Sequence, residues 1–492
     1  MRKSDVFQAL VLFSCLFFLL FFNNCKKDRG NNVNHDTTDT TTPPVTVDTT
    51  DNKFDPKIAD DYAAIADQNY SYLWGSYNLH DPTIIKNGDY YYIFSTDVAY
   101  GPNGKCGIMW RKSKDLVHWT FLGWVFNGTI PSIPLAFMQS NQAGYQATGI
   151  WAPYIIKVGD QFRLYYSVPG NNGLKLACIA LATSTSPEGP WTDQGIVISC
   201  LPSDPYNAID PAVIIDRSNG RQWMSYGSYS NGIYIVELDP ATGKRLNPSD
   251  RGKRIAYRSK DGDAIEGSDF LYNPELKKYF LFVSYDWLED KYNVRVGRSD
   301  NPEGPYYDIN GKDMAAVGDN VPFITAQYQF KNHSGWQGFG HCDLLRLDSA
   351  NYFYVSQARL GSNKYFMDLH VHRMVWTPSG WPVISPERYA NIPQDTVKVS
   401  DLAGKWEHID LIATAYKNAS TDLTFNSDNS IAGIANSSWS FKDKVLTLTI
   451  NGGEKVFSCR VFREWDWENK RRTIVYTGMT PQGENCWGKK VK

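Results

Sequence analysis

The chain has no surplus charge of either sign. Fifty basic residues stand against 52 acidic ones, a net of -2 over 492 residues. This excludes the basic excess that draws a protein to nucleic acid or to an anionic bilayer, and favours a neutral or weakly charged partner. Cysteine is sparse, eight in all, and no two form a C-x-x-C pair, so no zinc site is suggested. Six lie in the body: Cys106, Cys178, Cys200, Cys342, Cys459 and Cys486. Cys178–Cys200 and Cys459–Cys486 are possible disulfides in an exported chain, with free buried thiols the equal alternative. Helical spacing is missing from the long repetitive middle of the chain, which excludes a helical repeat protein.

The N-terminus reads as a targeting segment. Arg2 and Lys3 precede an apolar run from Phe7 to Phe22, of secretory length and short for a membrane span. The run ends at Asn23-Asn24-Cys25, which resembles a bacterial lipoprotein cleavage site. Residues 1–24 are then the signal peptide and Cys25 the lipidated first residue. The alternative is an ordinary signal peptide or an uncleaved anchor. Residues 25–56 follow as lipid anchor and linker, Thr- and Asp-rich and unable to bury a core. The expectation is an exported protein of the bacterial cell envelope, held to the outer membrane through its lipid alone. Lys26-Lys27-Asp28 resembles the export signals of surface lipoproteins, and periplasmic and surface faces both stay open.

Aromatics are abundant, at 14% with 30 Tyr and 16 Trp. They mark a repeat. Five β-type runs each end near a small hydroxyl residue: Tyr90–Ser95, Phe162–Ser167, Gln222–Ser228, Lys278–Ser284 and Asn351–Ser356. A turn and a short apolar strand precede each run, and a third strand follows. Units of three or four strands recurring about every 55–75 residues are what propeller blades look like in sequence. The expected fold is all-β, with a five-bladed β-propeller over residues 57–392. Residues 393–492 lack the blade pattern and read as a small β-barrel or sandwich.

The chemistry is sought at the start of each blade's first strand, because innermost strands line a propeller's axis. Those positions hold Asp81, Trp151-Ala152, Asp210, Glu266 and His341. Three carboxylates and a histidine from distant stretches would share one funnel. Clustered carboxylates repel, so that one keeps its proton near neutrality. Glycoside hydrolysis uses this: one carboxyl protonates the leaving oxygen and another activates water. An Asp-Pro dipeptide alone is a common turn, so the equivalence of position across blades carries the argument.

His80-Asp81-Pro82, Gly149-Ile-Trp-Ala-Pro153, Asn207-Ala-Ile-Asp-Pro211, Ala264-Ile-Glu-Gly267 and Gly340-His341 resemble, in order, the motif set of glycoside hydrolase family 43, most of all its endo-α-1,5-L-arabinanase branch. The resemblance runs from about residue 75 to 392. The tail, with Gly404-Lys-Trp406 and Cys486-Trp-Gly-Lys-Lys490, is similar to the small β-barrel appended to some bacterial arabinanases. The resemblance implies Asp81 as general base, Glu266 as general acid and Asp210 as the group that raises and orients the acid. It implies inversion, with the base and acid carboxyls about 6.5–9.5 Å apart. It also implies Ca2+ on the axis, held by His341 and waters, although one nitrogen is a poor calcium site by general metal logic. Its sugar would meet Gly149, Trp151, Asn207, Ser228, Tyr229 and Arg359, with Tyr154 a further platform. Asp269 adds a carboxylate near the acid that either raises its pKa further or faces solvent.

The implied partner is arabinan or an arabino-oligosaccharide, and the protein is expected to act as a monomer. Two other readings remain: an exo-acting α-L-arabinofuranosidase or β-xylosidase, and a non-catalytic surface glycan-binding propeller. The insertion Asn127–Tyr145 would decide for exo action if it blocked one end of the groove.

Overall fold

The computed structural model describes residues 55–100, 104–259, 264–414 and 417–491. The signal segment, Cys25 and most of the linker lie outside them. Five antiparallel sheets succeed one another along the chain, each running from the axis outward in sequence order. Blade 1 holds Thr83–Asn87, Tyr90–Ser95, Met109–Ser113 and Thr120–Trp124. Blade 2 holds Trp151–Val158, Gln161–Pro169, Ala177–Ser184 and Thr192–Cys200. Blade 3 holds Ala212–Ile215, Gln222–Tyr226, Ile233–Leu238 and Lys253–Ala256. Blade 4 holds Ile265–Asn273, Lys278–Tyr285, Asn293–Ser299 and Phe323–Thr325. Blade 5 holds Trp336–Arg346, Tyr352–Leu360, Asn363–Trp376 and Pro382–Arg388. Tyr328–Gln329 and Asn418–Ala419 extend its inner edge, the latter lent by the C-terminal domain.

Both faces of each blade are covered, so strands alternate between two cores rather than between core and water. Ile93 packs with Ile84, Val355 and Val371 on the blade 5 side, while Phe94 packs with Leu164 and Tyr166 on the blade 2 side. Leu281 and Val283 likewise face blade 3 and Phe282 faces blade 5. Each such side chain contributes roughly 1.5–3 kcal/mol by burial. The first strand of blade 1 packs on that of blade 5, which closes the ring. A second closure comes from the N-terminal segment. Leu79 N–H donates to Met367 O and Leu369 N–H to Ser76 O, so residues 76–79 pair the part of the third blade 5 strand that Pro382–Arg388 leaves uncovered.

Side chains at the end of the second strands, two of the recurrent hydroxyls among them, have a structural role. Each inner strand enters through one residue in the left-handed region: Asp81 (φ 46°), Ala152 (37°), Asp210 (58°), Gly267 (55°) and His341 (49°). The kink frees that residue's N–H from the ladder, and the preceding blade catches it. Ala152 N–H donates to Thr96 Oγ1, Asp210 N–H to Ser167 Oγ, His341 N–H to Ser284 Oγ, and Asp81 N–H to Gln357 Oε1. Four of the five junctions are latched this way. At the fifth, Gly267 N–H turns to Asp210 Oδ2, 3.2 Å away. Removing a latch orphans a buried N–H, which costs about 1–3 kcal/mol. Ser284→Ala is therefore expected to lower unfolding stability by that amount in a denaturant titration, and an unchanged midpoint would contradict the latch.

The C-terminal strands, from Gly404–Asp410 to Asn485–Val491, form one eight-stranded sheet. Ile431 N–H to Ser437 O and Trp439 N–H to Asn429 O join its two edges into a barrel. Trp406, Phe425, Trp439 and Tyr476 fill it. The six described cysteines are free thiols, and Cys459 Sγ and Cys486 Sγ sit unbonded 3.7 Å apart. The barrel is stitched to blade 5 by Arg373–Glu464 and by buried Lys489. Lys489 Nζ stands 2.9 Å from Glu387 and 3.0 Å from Asp466, with Glu468 also in contact. Among the described residues these three acids form the one acidic group close enough to hold a metal, and the lysine ammonium already serves as its cation.

Candidate active site

The kinks aim side chains at the axis. Asp81, Asp210, Glu266 and His341 come together there, each at most 8% exposed except the half-buried histidine. His341 is the hub. Its Nδ1 lies 2.9 Å from Asp81 Oδ1, and its ring packs so closely on Gly267 that a Cβ there would come within 2.8 Å of it. Burial pushes His341 down, but Asp81 and then Asp210 and Glu266 outweigh it and raise the imidazole to about 9. Burial pushes Asp81 up, yet His341 and His80 hold it well below the usual carboxylate range. Asp81 Oδ2 accepts from Thr96 Oγ1 (2.6 Å) and faces His80 Nδ1 (2.8 Å). Asp210 behaves in the opposite way. Burial raises its pKa to about 8 against the pull of His341, with Glu266 and Asp81 adding to the rise. One cluster thus holds an ionised carboxylate and a carboxyl that keeps its proton to about 8, so its acids do not all ionise together.

Glu266 breaks the register. In blade 4 the kinked residue is Gly267, so the acid stands one place earlier than Asp81, Asp210 and His341 rather than at the equivalent position. The register shift between Glu266 and Asp269 matches those between Trp151 and Tyr154 and between Gly340 and Asp343, so it accompanies the kink in each blade. Ser228 Oγ donates to Glu266 Oε2 (2.7 Å) and Tyr292 Oη to Oε1 (2.6 Å). Tyr292, Thr96, His80 and Gln357 are site residues that sequence reasoning missed. Only His80 carried a signal, its place beside Asp81.

The expected sugar contacts divide. Trp151 is 42% exposed at the axis end of blade 2, with Gly149 close against its indole and against Asp97. Tyr229 is half-buried in the left-handed region, and its hydroxyl has no partner among the described residues. Burial and then the Glu266 charge push that hydroxyl up. Asn207 is half-buried beside Cys200. Ser228 is committed to Glu266, and Tyr154 is a core residue donating to Val213 O between blades 2 and 3. Arg359 is 6% exposed and lies behind His80, its guanidinium on His80 Nε2 and Lys364 O. Asp269 is buried, so it does not face solvent. It accepts from Leu344 N–H and pairs with Asp343, which accepts from Thr83 and Ile84. Burial and Asp343 raise Asp269 well above the usual range. This pair ties blades 4, 5 and 1 together below the site.

With Nδ1 on Asp81, His341 would offer a cation Nε2, on a side chain 14% exposed, and the ion would have to displace the proton that the carboxylates otherwise hold on the ring up to about 9. One imidazole nitrogen with waters fits a weakly held ion.

Residues 75–382 match the family described as Glycosyl hydrolases family 43, and residues 386–488 a C-terminal lipocalin-like domain. The chain belongs to glycosyl hydrolase family 43. This family 43 chain is 29% identical over 471 residues to an extracellular endo-α-(1→5)-L-arabinanase of Thermotoga petrophila, covering 87% of this chain and 96% of the relative. A crystal structure of the endo-1,5-α-L-arabinanase from Thermotoga petrophila superposes with a TM-score of 0.76 at 28% identity, over 85% of this chain and 99% of that one. An extracellular exo-α-(1→5)-L-arabinofuranosidase of Cellvibrio japonicus is 31% identical over 323 residues, covering 62% of this chain and 86% of the relative.

Proposed function

We propose that the protein is an exported hydrolase that cuts α-1,5-linked L-arabinan internally, with inversion. The observation that carries this is the hub: one histidine touching Asp81 and sharing its field with Asp210 and Glu266. The roles follow from the environments. Asp81, ionised and fixed by three donors, takes the proton of the attacking water. Glu266 protonates the departing glycosidic oxygen. Ser228 and Tyr292 then stand ready as donors to the carboxylate this leaves, which favours the transfer. Asp210, its Oδ2 on Gly267 N–H, holds the strand that carries Glu266 and supplies the repulsion that keeps a proton in the pair. Calcium is the proposed ion, held by His341 Nε2 and waters, where it would supply positive charge on the axis.

Endo action is supported by the relative that spans both domains and by the fate of the insertion. Its helix, Ser132–Asn141, packs on the outer strands of blade 2 with Ile133 against Gly195, and Gln142 and Gln146 are clipped to Asn171. It is spent on that flank. Cys25 as a lipid anchor, and an envelope location on the outer membrane, complete the proposal: the substrate is a polymer too large to import.

Digestion of linear arabinan tests the reading. Oligosaccharides as first products support it; arabinose alone means exo action, and binding without products means a glycan-binding propeller. Trp151→Ala is expected to raise KM for arabinan about 3–10-fold with kcat within twofold, as loss of one stacking face predicts. Steady-state kinetics on linear arabinan check this, and an unchanged KM removes Trp151 from the groove.

A further inference from the structure

The base is addressed by a second residue that never touches it. Arg359 Nη2 lies 3.1 Å from His80 Nε2, and His80 Nδ1 lies 2.8 Å from Asp81 Oδ2. A guanidinium has donors and no acceptor. His80 Nε2 must therefore accept and carry no hydrogen, which leaves the ring hydrogen on Nδ1, pointed at Asp81. We propose that Arg359 is a positioning residue that fixes the tautomer of His80 and through it the orientation of the Asp81 carboxylate. The proposal rests on Asp81 being the base.

Counting lone pairs gives the orientation its chemical content. Oδ2 of Asp81 takes two donors, His80 and Thr96, while Oδ1 takes His341 alone. A carboxylate oxygen accepts about two hydrogen bonds. Oδ2 is thus filled and Oδ1 keeps a vacancy, which makes Oδ1 the atom that receives the proton of water. Were His80 to carry its hydrogen on Nε2 instead, an Nδ1 lone pair would oppose Oδ2 and the carboxylate would turn. Arg359 is in turn held by parts of two blades. Its Nη1 donates to Lys364 O (2.8 Å), and Lys364 Nζ pairs with Glu289 Oε2 across the rim (2.6 Å). Gly338 makes room for it, since a Cβ there would come within 2.9 Å of Arg359 Cδ.

The test is a double-mutant cycle with an NMR readout. Arg359→Met is expected to lower kcat on linear arabinan about 10–100-fold, as loss of a charge-assisted hydrogen bond predicts, with KM within twofold. His80→Asn supplies an amide N–H where Nδ1 stood and needs no tautomer. In that background Arg359→Met is expected to cost less than about threefold. Imidazole 15N shifts of the full chain are expected to show His80 protonated on Nδ1, with the Nε2–H form appearing in Arg359→Met. An equal cost in both backgrounds, a rise in KM with kcat intact, or an unmoved tautomer overturns the relay. Activity that survives Asp81→Asn would instead overturn the choice of base, and the NMR arm separates the two failures because it reads no turnover.

Discussion

Asp81→Asn and Glu266→Gln are each expected to cut kcat on arabinan by about 100- to 10,000-fold, the range that general acid–base groups supply, with the melting temperature within a few degrees of wild type. The two losses differ in kind. In the proposed roles Glu266 gives its proton to the leaving oxygen, so a substrate whose leaving group departs unprotonated, such as an activated aryl α-L-arabinofuranoside, is expected to recover most of the rate in Glu266→Gln. The same substrate recovers nothing in Asp81→Asn, because water must still be deprotonated by the carboxylate that His341, His80 and Thr96 hold ionised. Equal rescue of both variants, or of neither, would contradict the division of roles. Each change turns one carboxylate oxygen into an N–H donor: in Glu266→Gln the Ser228 or Tyr292 hydroxyl facing it can turn to accept, and in Asp81→Asn one donor loses its acceptor, a cost of about 1–3 kcal/mol that the fold tolerates.

Asp210→Asn is expected to move the alkaline limb of the kcat profile to lower pH by a unit or more. The sign follows from the site. Asp210 is raised to about 8 by burial and then by its carboxylate neighbours, so the funnel keeps a proton until the pH passes that value. Below about 8 the funnel holds one carboxylate fewer; above it, an added negative charge enters a site that already contains ionised Asp81. The charges belong to a coupled group, so the limb reports the pair rather than one residue. Asparagine cannot ionise, and the repulsion that delays proton loss disappears with it. Its amide oxygen still accepts from Gly267 N–H, which keeps the strand in place and confines the effect to electrostatics. A wild-type profile and an Asp210→Asn profile that superimpose after scaling would contradict this.

The blades were legible because their signal is local. A turn, a run of alternating aromatics and a terminal hydroxyl repeat with the period of the sheet, and Asp81, Asp210 and His341 stand at the same point of that period. The role of these strand ends was not legible. Thr96, Ser167 and Ser284 catch an N–H of the next blade, a contact made only when the ring closes. The same holds for Gln357, which reaches Asp81 from the far end of the chain. Glu266 was found by its motif, but its register was misjudged by one residue, since a left-handed glycine leaves no trace in hydrophobic alternation. Arg359 was placed near the sugar because it follows a strand, and the structure puts it behind His80 instead. Asp269 gave a choice between acid neighbour and solvent, and pairing with Asp343 is neither. Tyr292, on a third strand's approach, carries no sequence mark at all.

The measurement that tests the central claim most directly is the anomeric configuration of the first product, followed by 1H NMR during hydrolysis of linear α-1,5-arabinan. An inverting pair with Asp81 as base and Glu266 as acid predicts the β-anomer first, with the α-anomer growing in only by mutarotation, and product from Asp81→Asn slowed by about 100- to 10,000-fold. Initial α-anomer would mean a covalent intermediate and a carboxylate acting as nucleophile, and would contradict the account of the three acids given above.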